Sequence, residues 1–332
     1  MHSQTRTMPA AVRPGRVSSE LLLRAIAISA IVLHHSTSSD LGGGIGVLLL
    51  LVGLNLARFQ SKQLASDRRW LLLRHAALKV LLPYYGILIG YSAWHGPGEV
   101  GLQDVLLLSN LNPDNDRFLV PYWFVAAYFQ FLLAIILLSA LPPVTKLLKR
   151  RPDVFGLWLL AATLIIKIVT LQIFSHEHLL GRTIDQFLYI VAFGWCIQFT
   201  QGRQLSLAMA TLAIALAVIG QFAPATAWSG FDGRWHHAAV FLAVLALLFV
   251  PTVTVGNRLR AIISALSIAS FTIYLVHPLI LALWKAEPEW QVLAGGVSIA
   301  IGVLVSRTIN VVRHIVRTEL GQRPHMARQT GL

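Results

Sequence analysis

The sequence predicts an all-α polytopic membrane helix bundle of about ten transmembrane helices with both termini cytoplasmic, and three observations carry that prediction. Only 12% of the 332 residues are charged and 56% are hydrophobic, whereas an average soluble domain carries roughly a quarter charged residues. Mean hydropathy is +0.67, and apolar runs recur near the length of about 20 residues that a helix needs to cross a hydrocarbon core about 30 Å thick. Finally, the charges alternate between connecting segments. With the N-terminus inside, twenty of the 27 lysines and arginines fall on the inner side, and only Arg117, Arg182, Arg234 and Lys285 fall outside. Ten acidic residues, Asp40, Glu99, Asp104, Asp114, Asp116, Glu177, Asp185, Asp232, Glu287 and Glu289, do the reverse. That segregation obeys the positive-inside rule and argues against reading the net charge of +13 as a nucleic-acid surface.

Taken in order, the first helix is expected at Ser19–Ser36. It follows a basic tail, residues 1–17, but lacks an A-x-A-like exit, so it reads as a retained helix rather than a signal peptide. The second, Gly43–Arg58, opens on glycines and is short. The third, Trp70–Tyr91, enters through Arg74 and His75 and carries Lys79. The fourth and fifth are expected at Val120–Ala140 and Val154–Phe174, joined by the basic, proline-bounded connector "LPPVTKLLKRRPD", which would face anionic headgroups. Ile184–Thr200 is again short; Leu205–Phe222, His236–Val255, Ile262–Trp284 and Val292–Val312 complete the set. A single membrane domain therefore spans 18–314, followed by a basic tail at 315–332. No soluble domain interrupts it. The longest outer connection, "HGPGEVGLQDVLLLSNLNPDNDRFLVPYWF", joins an amphipathic run to turn-forming residues and suits a re-entrant or lid-like loop. Trp94, Tyr122, Trp123, Trp228, Trp235, Trp284 and Trp290 fall near outer boundaries, as an aromatic belt would.

An ionisable side chain inside a spanning helix costs at least about 2.5 to 3.5 kcal/mol on insertion scales, so each is a functional candidate. The stretch "LLLRAIAISAIVLHHS" holds Arg24, His34 and His35. From Arg24 to His35 a helix turns about 20° past three full turns and rises about 16 Å, which puts the two on one face. His34 points elsewhere. Arg24 alone also fits a snorkelling anchor or a partner of Glu20, and His35 also fits a histidine satisfied by a neighbouring carbonyl. Arg74 and Lys79 can reach an anion at the inner mouth or snorkel to lipid phosphate. Lys167 lies mid-helix and needs a partner the sequence does not name. "SHEH" (Ser175–His178) and "RWHH" (Arg234–His237) read as exposed outer-loop histidines, too weak a pattern for a metal site. The lone cysteine, Cys196, excludes a disulfide framework.

These segments resemble the acyltransferase-3 family of integral membrane O-acyltransferases, which modify O-antigens, exopolysaccharides and nodulation factors. "LRAIAISAIVLHH" repeats the family's first-helix arginine followed eleven residues later by histidine. "GGGIGVLLLLVGLNLARF", "RHAALKVLLPYY", "PYWFVAAYFQFLL" and "SIASFTIYLVHPLI" resemble its second, third, "lWFl" and late "s-iYLvH" helices, in chain order. The second arginine of the family's basic entry is Lys79 here, and a Glu that some branches carry is Tyr128. The resemblance implies acyl transfer, of the class moving groups other than aminoacyl groups, commonly acetyl from cytoplasmic acyl-CoA. The acceptor would be a hydroxyl of an extracytoplasmic glycan or lipid-linked saccharide. Acyl-CoA would be a co-substrate, with no permanently bound cofactor. Catalytic roles fall to His35 and Arg24, donor binding to Arg24, Arg74 and Lys79, and acceptor-side contacts to Trp123 and His277. The implied location is the inner membrane, among membrane lipids. A competing expectation, drawn from Lys167, is a transporter or flippase for a sugar, amino acid or lipid-linked product.

Overall fold

The computed structural model describes residues 15–37, 43–111, 122–173, 183–222, 235–284 and 287–319. The chain runs β1 (Arg16–Ser18), α1 (Ser19–Thr37), α2 (Gly44–Leu64), α3 (Leu71–His95), the short α4 (Leu102–Val105), α5 (Trp123–Ala140), α6 (Pro142–Arg150) and α7 (Pro152–Ile173). It continues through α8 (Ile184–Phe199), α9 (Arg203–Phe222), α10 (Trp235–Phe249), β2 (Thr252–Thr254), α11 (Asn257–Trp284) and α12 (Gln291–Glu319). Seven of these helices, α1, α2, α3, α5, α7, α11 and α12, are long and apolar enough to cross a membrane, and α8, α9 and α10 are shorter apolar helices. Together they occupy the positions of the ten apolar runs.

At the centre stands α2, with Leu49, Leu50, Leu51 and Leu54 almost wholly buried. Lipid is as apolar as leucine, so helices in a membrane associate through close packing and small residues rather than through a hydrophobic gain. The crossing of α2 and α8 illustrates this. A Cβ added to Gly53 would run into the carbonyl of Val191, and one added to Gly194 into the carbonyl of Leu50. Backbone touches backbone there. The helix reaches Leu64 rather than Arg58 because a π turn at Leu56–Gln60 carries it onward.

The basic end is built by polar ties. Arg58 donates to Glu20 across 2.5 Å and to Gln198 across 2.7 Å, joining α1, α2 and α8. Glu20 thus pairs with Arg58 across the helix interface, and not with Arg24 one turn along its own helix. Because both side chains remain partly exposed, Glu20→Gln should cost under about 1 kcal/mol in a thermal-unfolding measurement. Arg69, 7% exposed, donates to the carbonyls of Ser139 (2.6 Å) and Ser66 (2.8 Å) and caps the end of α5. The expected connector after α5 is a helix, α6, started by Pro142 and Pro143 and carrying Lys146, Lys149 and Arg150.

Three other expectations change. The run His236–Val255 stops being helical at Phe249, because Pro251 breaks it and Thr252–Thr254 pairs antiparallel with Arg16–Ser18. His236 and His237 are buried (1% and 8% exposed) in the first turn of α10 rather than lying in an exposed loop. The ring of His236 fills the space that a side chain on Gly46 of α2 would take. Tyr122 is buried, not part of an aromatic belt, whereas Trp94, Trp284 and Trp290 are exposed as a belt requires. Ser175–His178, Arg234 and Trp228 lie outside the described residues. Of the long outer connection, α4 docks on α3, where Tyr84 and Tyr85 donate to the carbonyls of Asp104 and Val105.

Candidate active site

The first helix packs lengthwise on α11, with α2 and α12 on either side, and its face toward α11 is the one that carries Arg24 and His35. Towards the basic end, Arg24 lines a cavity of about 240 Å³ between α1, α2, α3, α5 and α11. Its walls are mainly apolar, including Leu48, Leu51, Val52 and Phe124, with Asn55, Tyr128, Ser270 and Tyr274 supplying polar atoms. Arg24 is the one charged side chain among its lining residues. Such a chamber suits the anionic or polar part of a ligand held at the guanidinium, with an uncharged part along the wall.

One helical turn beyond Tyr274 on α11 lies His277, fully buried, with the Tyr274 and His277 rings 5.9 Å apart. Its Nε2 is 2.8 Å from Nδ1 of His35, and the two rings stack at 5.1 Å. Its Nδ1 is 3.2 Å from the carbonyl oxygen of Ile273. A carbonyl only accepts, so Nδ1 of His277 carries the proton and donates. With both rings neutral, Nε2 of His277 is then the acceptor, and His35 must donate through Nδ1. The lone pair of His35 is thereby fixed on Nε2. Unlike His277, His35 is exposed. His34 is half-buried with its ring 5.4 Å from that of His35.

The backbone beneath this pair is held from two sides. Tyr122 donates to the carbonyl of Leu275 across 2.8 Å and packs edge-on to Tyr274. On the far side α12 approaches so closely at Gly302 that a Cβ there would come within 2.7 Å of the Cα of Ile273. Ile273 is the residue whose carbonyl orients His277. Small residues thus set the helix spacing on which the histidine pair depends.

A family model described as an acyltransferase domain, acyltransferase-3, matches residues 22–307. The chain belongs to that family. No curated protein and no solved structure gives a significant match. The matched region begins just ahead of Arg24 and runs through His35 and His277 into α12, so the acyltransferase-3 domain contains the cavity and the histidine pair.

The other acyltransferase-3 candidates lie apart from this line. Arg74 and Lys79 are exposed on α3, and neither lines the cavity, although their neighbour Val80 does. Lys79 sits in a π turn, Ala77–Leu81, a distortion common near functional sites. Trp123 is half-buried at the start of α5 against Phe187, while the next residue, Phe124, faces the cavity. Lys167 donates to the backbone and side-chain oxygens of Gln186 (3.0 and 3.3 Å) and lies 5.0 Å from the centre of the Tyr189 ring. It is outside the Arg24 cavity. The sequence placed Tyr122 in an aromatic belt and did not mark Tyr274, Asn55 or Ser270. Tyr274 had a signal in "YLVH", since positions i and i+3 share a helix face; Asn55 and Ser270 are ordinary polar residues until the helices are assembled.

Proposed function

We propose that this protein is an integral inner-membrane O-acyltransferase that moves an acyl group, acetyl in the simplest case, from cytoplasmic acyl-CoA to a hydroxyl of an extracytoplasmic glycan or lipid-linked saccharide. The observation that carries the reading is the single face of α1 on which Arg24 lines a cavity and His35 presents a basic nitrogen oriented by His277. The alternation of basic and acidic segments supports ten spans and cytoplasmic termini. In this reading Arg24 holds the donor by its polar or phosphate groups, and Arg74 and Lys79 supply further cationic charge at the inner mouth. Trp123 lies on the acceptor side.

The chemistry needs one base. Nε2 of His35 removes the acceptor's hydroxyl proton as the oxygen attacks the thioester carbonyl. The carbon–sulfur bond then breaks, the new ester leaves, and the proton passes from His35 to the departing thiolate, so that CoA is released as the thiol. His277 keeps the proton of His35 on Nδ1 throughout.

The test is transfer by purified protein in vesicles supplied with labelled acyl-CoA and a glycan acceptor. Product formation strictly dependent on acyl-CoA supports the assignment; acceptor movement across the vesicle wall without acyl-CoA supports transport instead. Lys167 no longer argues for transport, because its partners lie in the α7–α8 contact. In the same assay, Arg24→Leu should raise KM for the acyl-CoA by about tenfold, the worth of one charge-assisted hydrogen bond. An unchanged KM would remove Arg24 from donor binding.

A further inference from the structure

A second cleft, of about 310 Å³, opens between α11 and α12 on the side of α11 away from the Arg24 cavity. One wall is a stripe of small residues on α11, including Ala261 and Ala265; the other is a polar step on α12 formed by Ser306, Arg307 and Asn310. Ser306 is 7% exposed, and among the described residues neither it, Arg307 nor Asn310 makes a hydrogen bond or ion pair, although serines and threonines elsewhere on α12 bond back to the preceding turn. No acidic side chain lines the cleft. A cation without a carboxylate, beside an unbonded hydroxyl and an amide, calls for an anion with several acceptor oxygens.

The cleft is also polarised along the bundle. α11 and α12 run antiparallel with Gly302 against Ile273, so Asn310 lies level with Ala265 and Arg307 with Ile268, while Ala261 lies beyond them towards the basic end and Val303 lines the part nearer mid-membrane. Its rim is apolar and open, with Ile262, Ile268 and Leu304 at 55%, 69% and 63% exposure. A ligand therefore enters from the bilayer, charged end towards the basic end of the bundle and apolar end inwards. We propose that this cleft binds the phosphate headgroup and upper acyl chain of one anionic phospholipid. Basic pockets between helices at the headgroup level serve such lipids elsewhere. The site is independent of acyl transfer.

Native mass spectrometry of the purified full-length protein, supplied with phosphatidylglycerol or phosphatidylcholine, tests the proposal. One phosphatidylglycerol per chain should be retained in preference to phosphatidylcholine. Arg307→Gln and Asn310→Leu, both at exposed positions, should each reduce that retention, the first by at least about tenfold, at unchanged melting temperature. Wild-type retention in the folded Arg307→Gln protein, equal retention of the two lipids, or displacement of phosphatidylglycerol by inorganic phosphate overturns it, the last pointing to a soluble anion.

Discussion

His35→Ala should lower acyl transfer by about 10²- to 10⁴-fold, the span expected when a positioned general base is removed, while the protein accumulates in the membrane at its normal level. The two halves of that result rest on different observations. In the proposed mechanism the rate is lost because Nε2 of His35 is the base, and His277, which lies behind it with both ring nitrogens engaged, is not placed to substitute. Retention of the fold follows because His35 is exposed near the end of α1, whereas the packing of that helix is carried by Ala27, Ile28, Ile31 and Val32. Initial rates in vesicles, with protein quantified by immunoblot, measure both. A variant that keeps its rate within a few-fold of wild type would assign the proton transfer to another group.

The second large effect separates orientation from basicity. His277→Leu removes the acceptor for the Nδ1 proton of His35 and leaves that donor unsatisfied, a penalty of about 1–3 kcal/mol, or about 5- to 150-fold in rate. His277→Gln places an amide oxygen where Nε2 stood, accepts the same proton, and should recover most of the lost rate. A merely space-filling histidine predicts equal rates in the two variants, since leucine fills a buried apolar site as well as glutamine does. Nitrogen-15 spectra of histidine-labelled protein give an independent readout. Wild type should show His35 protonated at Nδ1, and His277→Leu should lose that preference. Equal rates in the two variants, with His35 protonated at Nε2 in wild type, would contradict the orienting role of His277.

The sequence carried the helices well because the membrane simplifies the code. Ten apolar runs stand out at single-sequence level, and the shared face of Arg24 and His35 follows from the period of one helix. What it did not carry were relations between helices. Glu20 has a partner four residues away on its own helix, and only the crossing of α1 with α2 shows that Arg58 takes it instead. His236 and His237 look like loop residues beside Arg234, yet glycines on α2 make the space that buries His236. The end of α10 at Phe249 depends on β2 pairing with a strand more than 230 residues earlier. The same holds for the site: "YLVH" locates His277 on a helix, but its hydrogen bond to His35 depends on the register of α11 against α1, which Gly302 and Tyr122 help to fix.

A single comparison bears most directly on the central claim, that the face of α1 shared by Arg24 and His35 directs acyl transfer to a hydroxyl. Envelope glycans and lipids are extracted from cells carrying the wild-type protein and from cells carrying His35→Ala at matched membrane abundance, and their masses are compared. An acyl ester present on one saccharide species in wild type and absent from the variant is the predicted result, with its mass naming the acyl group and its carrier naming the acceptor. Identical spectra from the two strains, with the ester present in both, would contradict it.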